Sequence, residues 1–234
     1  MPDPPRDAPS PSTGRVMVFD LYGTLLDTDS VTAACDRRFP GRGTELTRLW
    51  RQRQLEHSWL RTAMGRYVNF DAVTREALVY ACQALGLGSI DAVTTEALAE
   101  EYAHLQPFPE VPSTLERLTH AHRLAVLSNG SERGIRAALE AAHLIDRFEA
   151  LLSVDRVRKF KPSPEVYALA PAWSRVAPGQ CVFVSANWWD VAGAKAFGLV
   201  GVWVNRRGDA PDELSGPADG EIHGLDGLER LELP

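Results

Sequence analysis

The chain has 234 residues, 44% of them hydrophobic, with 25 Lys and Arg against 31 Asp and Glu for a net charge of −6. This is the composition of a globular core of normal size, or of a core plus a smaller insert. The acidic balance, with basic residues scattered apart from pairs such as Arg37-Arg38 and Arg206-Arg207, argues against a nucleic-acid partner. The three cysteines, Cys35, Cys82 and Cys181, form no CxxC pair and read as reduced thiols rather than a disulfide scaffold.

Residues 1–14 are rich in Pro, Asp and Ser, lack the apolar segment of a signal peptide, and read as a disordered tail. No run approaches the roughly 18–20 apolar residues of a membrane span. The expectation is a cytoplasmic protein with no membrane partner. From Arg15 the run Val16-Met17-Val18-Phe19 reads as a buried parallel strand ending at Asp20. Residues 29–104 then carry mostly helical patterns: 48–64, 70–85 with Gly86 as a stop, and 90–102. With no strand signal between them, they read as an inserted helical cap over residues 29–107. Pro107, Pro109 and Pro112 mark the return to the core.

Strands and helices alternate from there. Strands are expected at 124–127, 151–153, 181–184 and 200–204, and helices at 131–142, 163–173 and 188–197. Alternation of this kind specifies an α/β fold: a doubly wound parallel sheet, Rossmann-like, built from residues 15–28 and 108–234. Ligands in such folds bind beyond the carboxyl ends of the strands. Asp20, Ser128-Asn129 and Ser185-Ala186-Asn187 each follow a strand directly, so three segments converge on one sheet edge, and Lys161 lies in a loop able to join them.

A carboxylate at a strand end facing a cleft can act as a nucleophile, and can equally cap a loop. Ser128 can donate to an anion or cap the helix behind it. Arg51, one helical turn from Leu55, taken alone reads as surface decoration. None of the six histidines falls in these segments, and there is no G-x-S-x-G elbow or Walker loop. No cofactor is indicated.

In order, Phe19-Asp20-Leu21-Tyr22-Gly23-Thr24-Leu25-Leu26, the stretch WRQRQLEHSWLR at 50–61, LSNGS at 127–131, FKPSPEVY at 160–167 and FVSANWWD at 183–190 resemble the haloacid dehalogenase superfamily. The nearest branch is that of the L-2-haloacid dehalogenases. The resemblance covers almost the whole chain from Arg15. It implies that Asp20 is a nucleophile held by Thr24, Lys161 and Ser185, with Asn187 and Asp190 positioning a water. It implies a halide cradle of Arg51, Asn129 and Trp189. The substrate carboxylate would meet Ser128 and the backbone near Leu21 and Tyr22, and Tyr22, Leu55, Phe70, Tyr167 and Trp189 would contact the rest of a small 2-haloacid. Relatives are often homodimers, which is the expectation carried over to this chain. Trp188 departs from the smaller residue expected there, and either narrows the pocket or packs outward.

Phosphatases of the superfamily place a second aspartate two residues after the nucleophile to protonate a poor leaving group. Tyr22 stands there instead, and halide needs no proton. They also use a late aspartate to help hold magnesium, where this chain has Ser185-Ala186-Asn187. The expectation is hydrolytic dehalogenation without metal, giving a D-2-hydroxy acid from an L-2-haloacid through an ester on Asp20. The rivals are a magnesium-dependent phosphatase, against which Tyr22 argues, and a catalytically silent carboxylate binder, which halide release would exclude.

Overall fold

A computed structural model describes residues 15–233; the tail expected over residues 1–14 lies outside the described residues. Six parallel strands form one sheet: β1 (Val16–Phe19), β2 (Arg123–Ser128), β3 (Ala150–Ser153), β4 (Cys181–Ser185), β5 (Val200–Val204) and β6 (Gly220–Ile222), in the order β3-β2-β1-β4-β5-β6. Strands buried on both faces read as unbroken apolar runs, and all four residues of β1 are buried. Alternate side chains serve two cores. Met17 and Phe19 face one shared with α5 (Val111–Thr119) and α6 (Glu132–Ala141), while Val16 and Val18 face another shared with α7 (Pro164–Tyr167), α8 (Leu169–Ser174) and α9 (Trp188–Phe197).

Between β1 and β2 the chain makes the helical cap: α1 (Asp29–Arg38), α2 (Gly43–Ala63), α3 (Phe70–Ala84) and α4 (Ala92–Glu100). The two linkers lie side by side. Asp27 N donates to Gln106 O at 2.8 Å, Phe108 N donates to Leu25 O at 3.1 Å, and Leu26 bridges Pro107 antiparallel. Arg206, just past β5, clamps this hinge. Its guanidinium donates to Thr24 O at 2.9 Å and Glu110 Oε1 at 2.8 Å, and stacks 3.8 Å from the Phe108 ring.

Three sequence expectations change. Helix 163–173 is two short helices meeting at Ala168, because Pro171 has no N–H for the Tyr167 carbonyl and cannot continue one ladder. The helix expected from residue 48 begins five residues earlier, at Gly43. Strand β6 and helix α5, the latter with Pro112 in its first turn where proline is tolerated, were not anticipated.

Candidate active site

Strand order reverses beside β1: β2 and β3 extend to one side, and β4, β5 and β6 to the other. Phe19 pairs with both Val126 and Val184, so the residues that follow these strands emerge at one level. Asp20 is 6% exposed, and its N–H donates to Val184 O at 3.0 Å. The loop turns at Gly23, whose φ of +82° suits glycine, and brings Thr24 back over the carboxylate.

The two oxygens of Asp20 are loaded unequally. Oδ2 accepts from Thr24 Oγ1 at 2.9 Å, Asn187 Nδ2 at 2.9 Å and Ser185 Oγ at 3.3 Å, whereas Oδ1, among the described residues, accepts only from Lys161 Nζ at 3.1 Å. The donors are themselves fixed. Thr24 Oγ1 accepts from Ala186 N at 2.9 Å and Ser185 Oγ accepts from Asn187 N at 3.0 Å, which turns both hydroxyl protons toward the carboxylates.

Lys161 is 1% exposed and sits between two carboxylates, with Nζ 2.7 Å from Asp190 Oδ2 and 4.8 Å from the centre of the Phe183 ring. A buried ammonium is tolerable only when paired with a carboxylate. Its loop is tied to the core by Lys161 N donating to Asn129 Oδ1 at 2.9 Å, and to the cap by Phe160 N donating to Thr62 Oγ1 at 2.9 Å. Asp190 is fully buried, and burial pushes its pKa up to about 6 against the pull of Lys161. Tyr167, expected among the substrate contacts, is also fully buried. Its hydroxyl donates to Asp190 Oδ1 at 2.6 Å, and its own pKa is raised by burial and by the Asp190 charge. Gly193 permits this approach, since a Cβ there would lie 2.6 Å from the Tyr167 hydroxyl.

The remaining residues line the seam between cap and core. Arg51, Leu55 and Trp59 repeat every four residues along α2 and share a face. Trp59 meets Trp189 edge-on, with centroids 5.6 Å apart. Arg51 is half-buried and makes no hydrogen bond or ion pair among the described residues; its charge acts on the hydroxyls of Tyr22 and Tyr102. Tyr22 is 9% exposed, packs edge-on against Tyr102, and has its pKa raised by burial, so its hydroxyl stays protonated. Phe70 packs against Phe160. Ser128 Oγ accepts from Gly130 N at 3.1 Å, and among the described residues its proton meets no acceptor and the Asn129 amide nitrogen likewise meets none. Trp188 packs edge-on against the buried Trp203, 4.7 Å between centroids. Sequence reading missed Phe183 beneath Lys161, Tyr102 behind Tyr22, and the contact of Asp71 with Ser131; Phe183 and Ser131 lie in the quoted segments, but nothing local reports which residues they meet.

A family model for haloacid dehalogenase-like hydrolases matches residues 15–198. The (S)-2-haloacid dehalogenase of Pseudomonas sp. strain YL is 46% identical over 210 residues, 89% of this chain and 90% of its own. The chain belongs to the haloacid dehalogenase-like hydrolases, in the (S)-2-haloacid dehalogenase branch. Two more members of this branch are close. Haloacetate dehalogenase H-2 of Moraxella sp. strain B is 43% identical over 93% of this chain and 97% of its own. The solved L-2-haloacid dehalogenase of Xanthobacter autotrophicus with chloropropionic acid covalently bound superposes with a TM-score of 0.89, at 38% identity over 93% of this chain and 97% of that one.

Magnesium, the ion of the phosphatase alternative, does not fit the residues here. The Lys161 ammonium already stands between Asp20 and Asp190, the two carboxylates such an ion would need. Asn187 and Ser185 present N–H and O–H donors where the ion wants oxygen lone pairs. Among the described residues no cluster of three or more His, Cys, Asp and Glu side chains can hold a metal.

Proposed function

We propose that this haloacid dehalogenase converts small L-2-haloalkanoic acids to D-2-hydroxyalkanoic acids and halide through an ester on Asp20, without a metal. The unequal loading of the Asp20 carboxylate carries the reading. Oδ1, with one donor, keeps lone pairs available for in-line attack on C2, which inverts that carbon and expels halide with the bonding pair. Oδ2 then becomes the carbonyl oxygen of the ester, already surrounded by Thr24, Asn187 and Ser185. Donors set in advance around the oxygen where charge develops are an oxyanion hole for the second step. Water attacks the Asp20 carbonyl carbon and gives a proton to Asp190; collapse then breaks the bond from that carbon to the ester oxygen, and the departing alkoxide takes the proton back from Asp190 to leave as the hydroxy acid.

The other roles belong to the same reading. Ser128 and the N–H groups of Leu21 and Tyr22 hold the substrate carboxylate. Arg51, a half-buried guanidinium without an anion, receives the halide together with the Asn129 amide and the edge of Trp189; its weakly hydrated, multi-donor head suits a soft anion. Leu55, Phe70 and Tyr22 enclose the alkyl group, and Tyr167 holds Asp190 in place. A single turnover in heavy-oxygen water tests the mechanism: the label enters Asp20 and the first product carries none. Label in the product of that first turnover would mean direct attack by water and would sink the ester.

A further inference from the structure

A cavity of about 300 Å3 opens on the seam between the cap and the core, lined by α3, α4 and the turn Glu101–Ala103 on one side and by Tyr22 and the start of α6 on the other. It shares Tyr22 and Phe70 with the proposed alkyl pocket. The Tyr22 hydroxyl has no hydrogen-bond partner among the described residues and lies within electrostatic reach of Asp20, Arg51 and Asp71. The cavity therefore begins where the proposed substrate pocket ends.

Its seam is lightly fastened. Ser131, the N-cap of α6, donates to the Asp71 carboxylate at 3.1 and 3.2 Å, and Arg133 stands 3.8 Å from the same carboxylate with its side chain 87% exposed. Elsewhere the seam is sealed by the Trp59–Trp189 pair and by the Phe160 ring against Tyr67 and Phe70. The other arginine at the cavity, Arg75, is committed to Glu96 at 2.5 and 3.0 Å, which also neutralises that acid. Arg133 is not so committed. Its carboxylate partner is already satisfied by Ser131, and an exposed pair at this distance contributes little. An anion approaching a chain of net charge −6 gains from such a local cation.

We propose that this cavity is the vestibule through which the haloacid reaches Asp20 and that Arg133 draws the substrate carboxylate to its mouth. The inference rests on the dehalogenase reading above.

Arg133→Glu tests it on a fully solvated side chain with little risk to folding. With 2-bromopropionate, kcat/KM falls about tenfold at low ionic strength, kcat is unchanged, and the deficit shrinks in about 0.5 M salt. Ala137→Trp fills the vestibule from α6, away from the catalytic groups. It lowers kcat/KM at least fivefold, more for 2-bromobutyrate than for bromoacetate, while Ala137→Ser leaves it unchanged. Wild-type kcat/KM at low salt in Arg133→Glu overturns the steering role, and wild-type kcat/KM in a folded Ala137→Trp overturns the vestibule. A wild-type protein that releases no halide refutes the dehalogenase reading itself, which separates the two failures.

Discussion

Asp190→Asn is expected to stabilise the protein while stopping turnover. A carboxyl whose pKa lies near 6 instead of 3.8 is ionised in the fold at a net cost, after all its partners are counted. At pH 7.5 that cost is about 3 kcal/mol, and at pH 4.5, where the folded state keeps the proton, about 1 kcal/mol. The sign follows from the raised value. As pH rises through 4 to 6 the unfolded chain releases this proton first, so the group subtracts stability progressively and its full cost stands above 6. The amide is isosteric and its contacts survive. Its oxygen accepts from Lys161 Nζ, and the Tyr167 hydroxyl turns to accept the new N–H, giving its own proton to the residue 190 carbonyl, 3.1 Å away. For a chain of this length about 3 kcal/mol corresponds to a Tm gain of about 6–12 °C. Thermal melts at pH 7.5 and 4.5 read the effect, and a halide assay alongside should show one equivalent released per site and then nothing, with the ester trapped on Asp20. A variant that melts lower than wild type at pH 7.5, or an advantage that does not shrink in acid, refutes the reasoning.

Three further outcomes follow from the same geometry. Tyr167→Phe removes a hydrogen bond that favours ionised Asp190, so the acidic limb of kcat moves upward from about 6; an unmoved limb would show that Asp190 is not the proton acceptor. Arg51→Gln takes away the unpaired cation of the cleft and should cut kcat about a hundredfold, with bromide less affected than chloride because it leaves more easily, while Tm stays within a degree or two; kinetics of this variant with matched bromo and chloro substrates decide. Chelation with EDTA should leave halide release unchanged, because Lys161 occupies the place a divalent ion would take; activity restored only by added magnesium would contradict this.

Much of the sheet was legible because its strands are buried on both faces. Runs such as Val16–Phe19 and 181–184 are unbroken apolar stretches and announce themselves. Strand β6 is three residues, Gly-Glu-Ile, and only Ile222 is buried, so no periodicity marks it. Asp20, Lys161, Ser185, Asn187 and Asp190 could be read as a group because each stands at the carboxyl end of a strand, in the loop leading to the next helix or in that helix's first turn, where the fold itself forces convergence. Residues whose role depends on cap meeting core were not legible in that way. Asp71 and Ser131 lie sixty positions apart and become neighbours only when α3 docks on α6. Tyr167 was assigned to the right neighbourhood, but its depth depends on the close approach that Gly193 allows, which no pattern in the sequence reports.

The paired linkers at Leu25–Leu26 and Gln106–Phe108 carry an evolutionary consequence. Since the cap leaves and rejoins the sheet at almost one point, it can be lengthened, shortened or exchanged without shifting a single strand. The nucleophile and its donors are thereby inherited at the strand ends, while Arg51 and Leu55 travel with an excursion grafted between them.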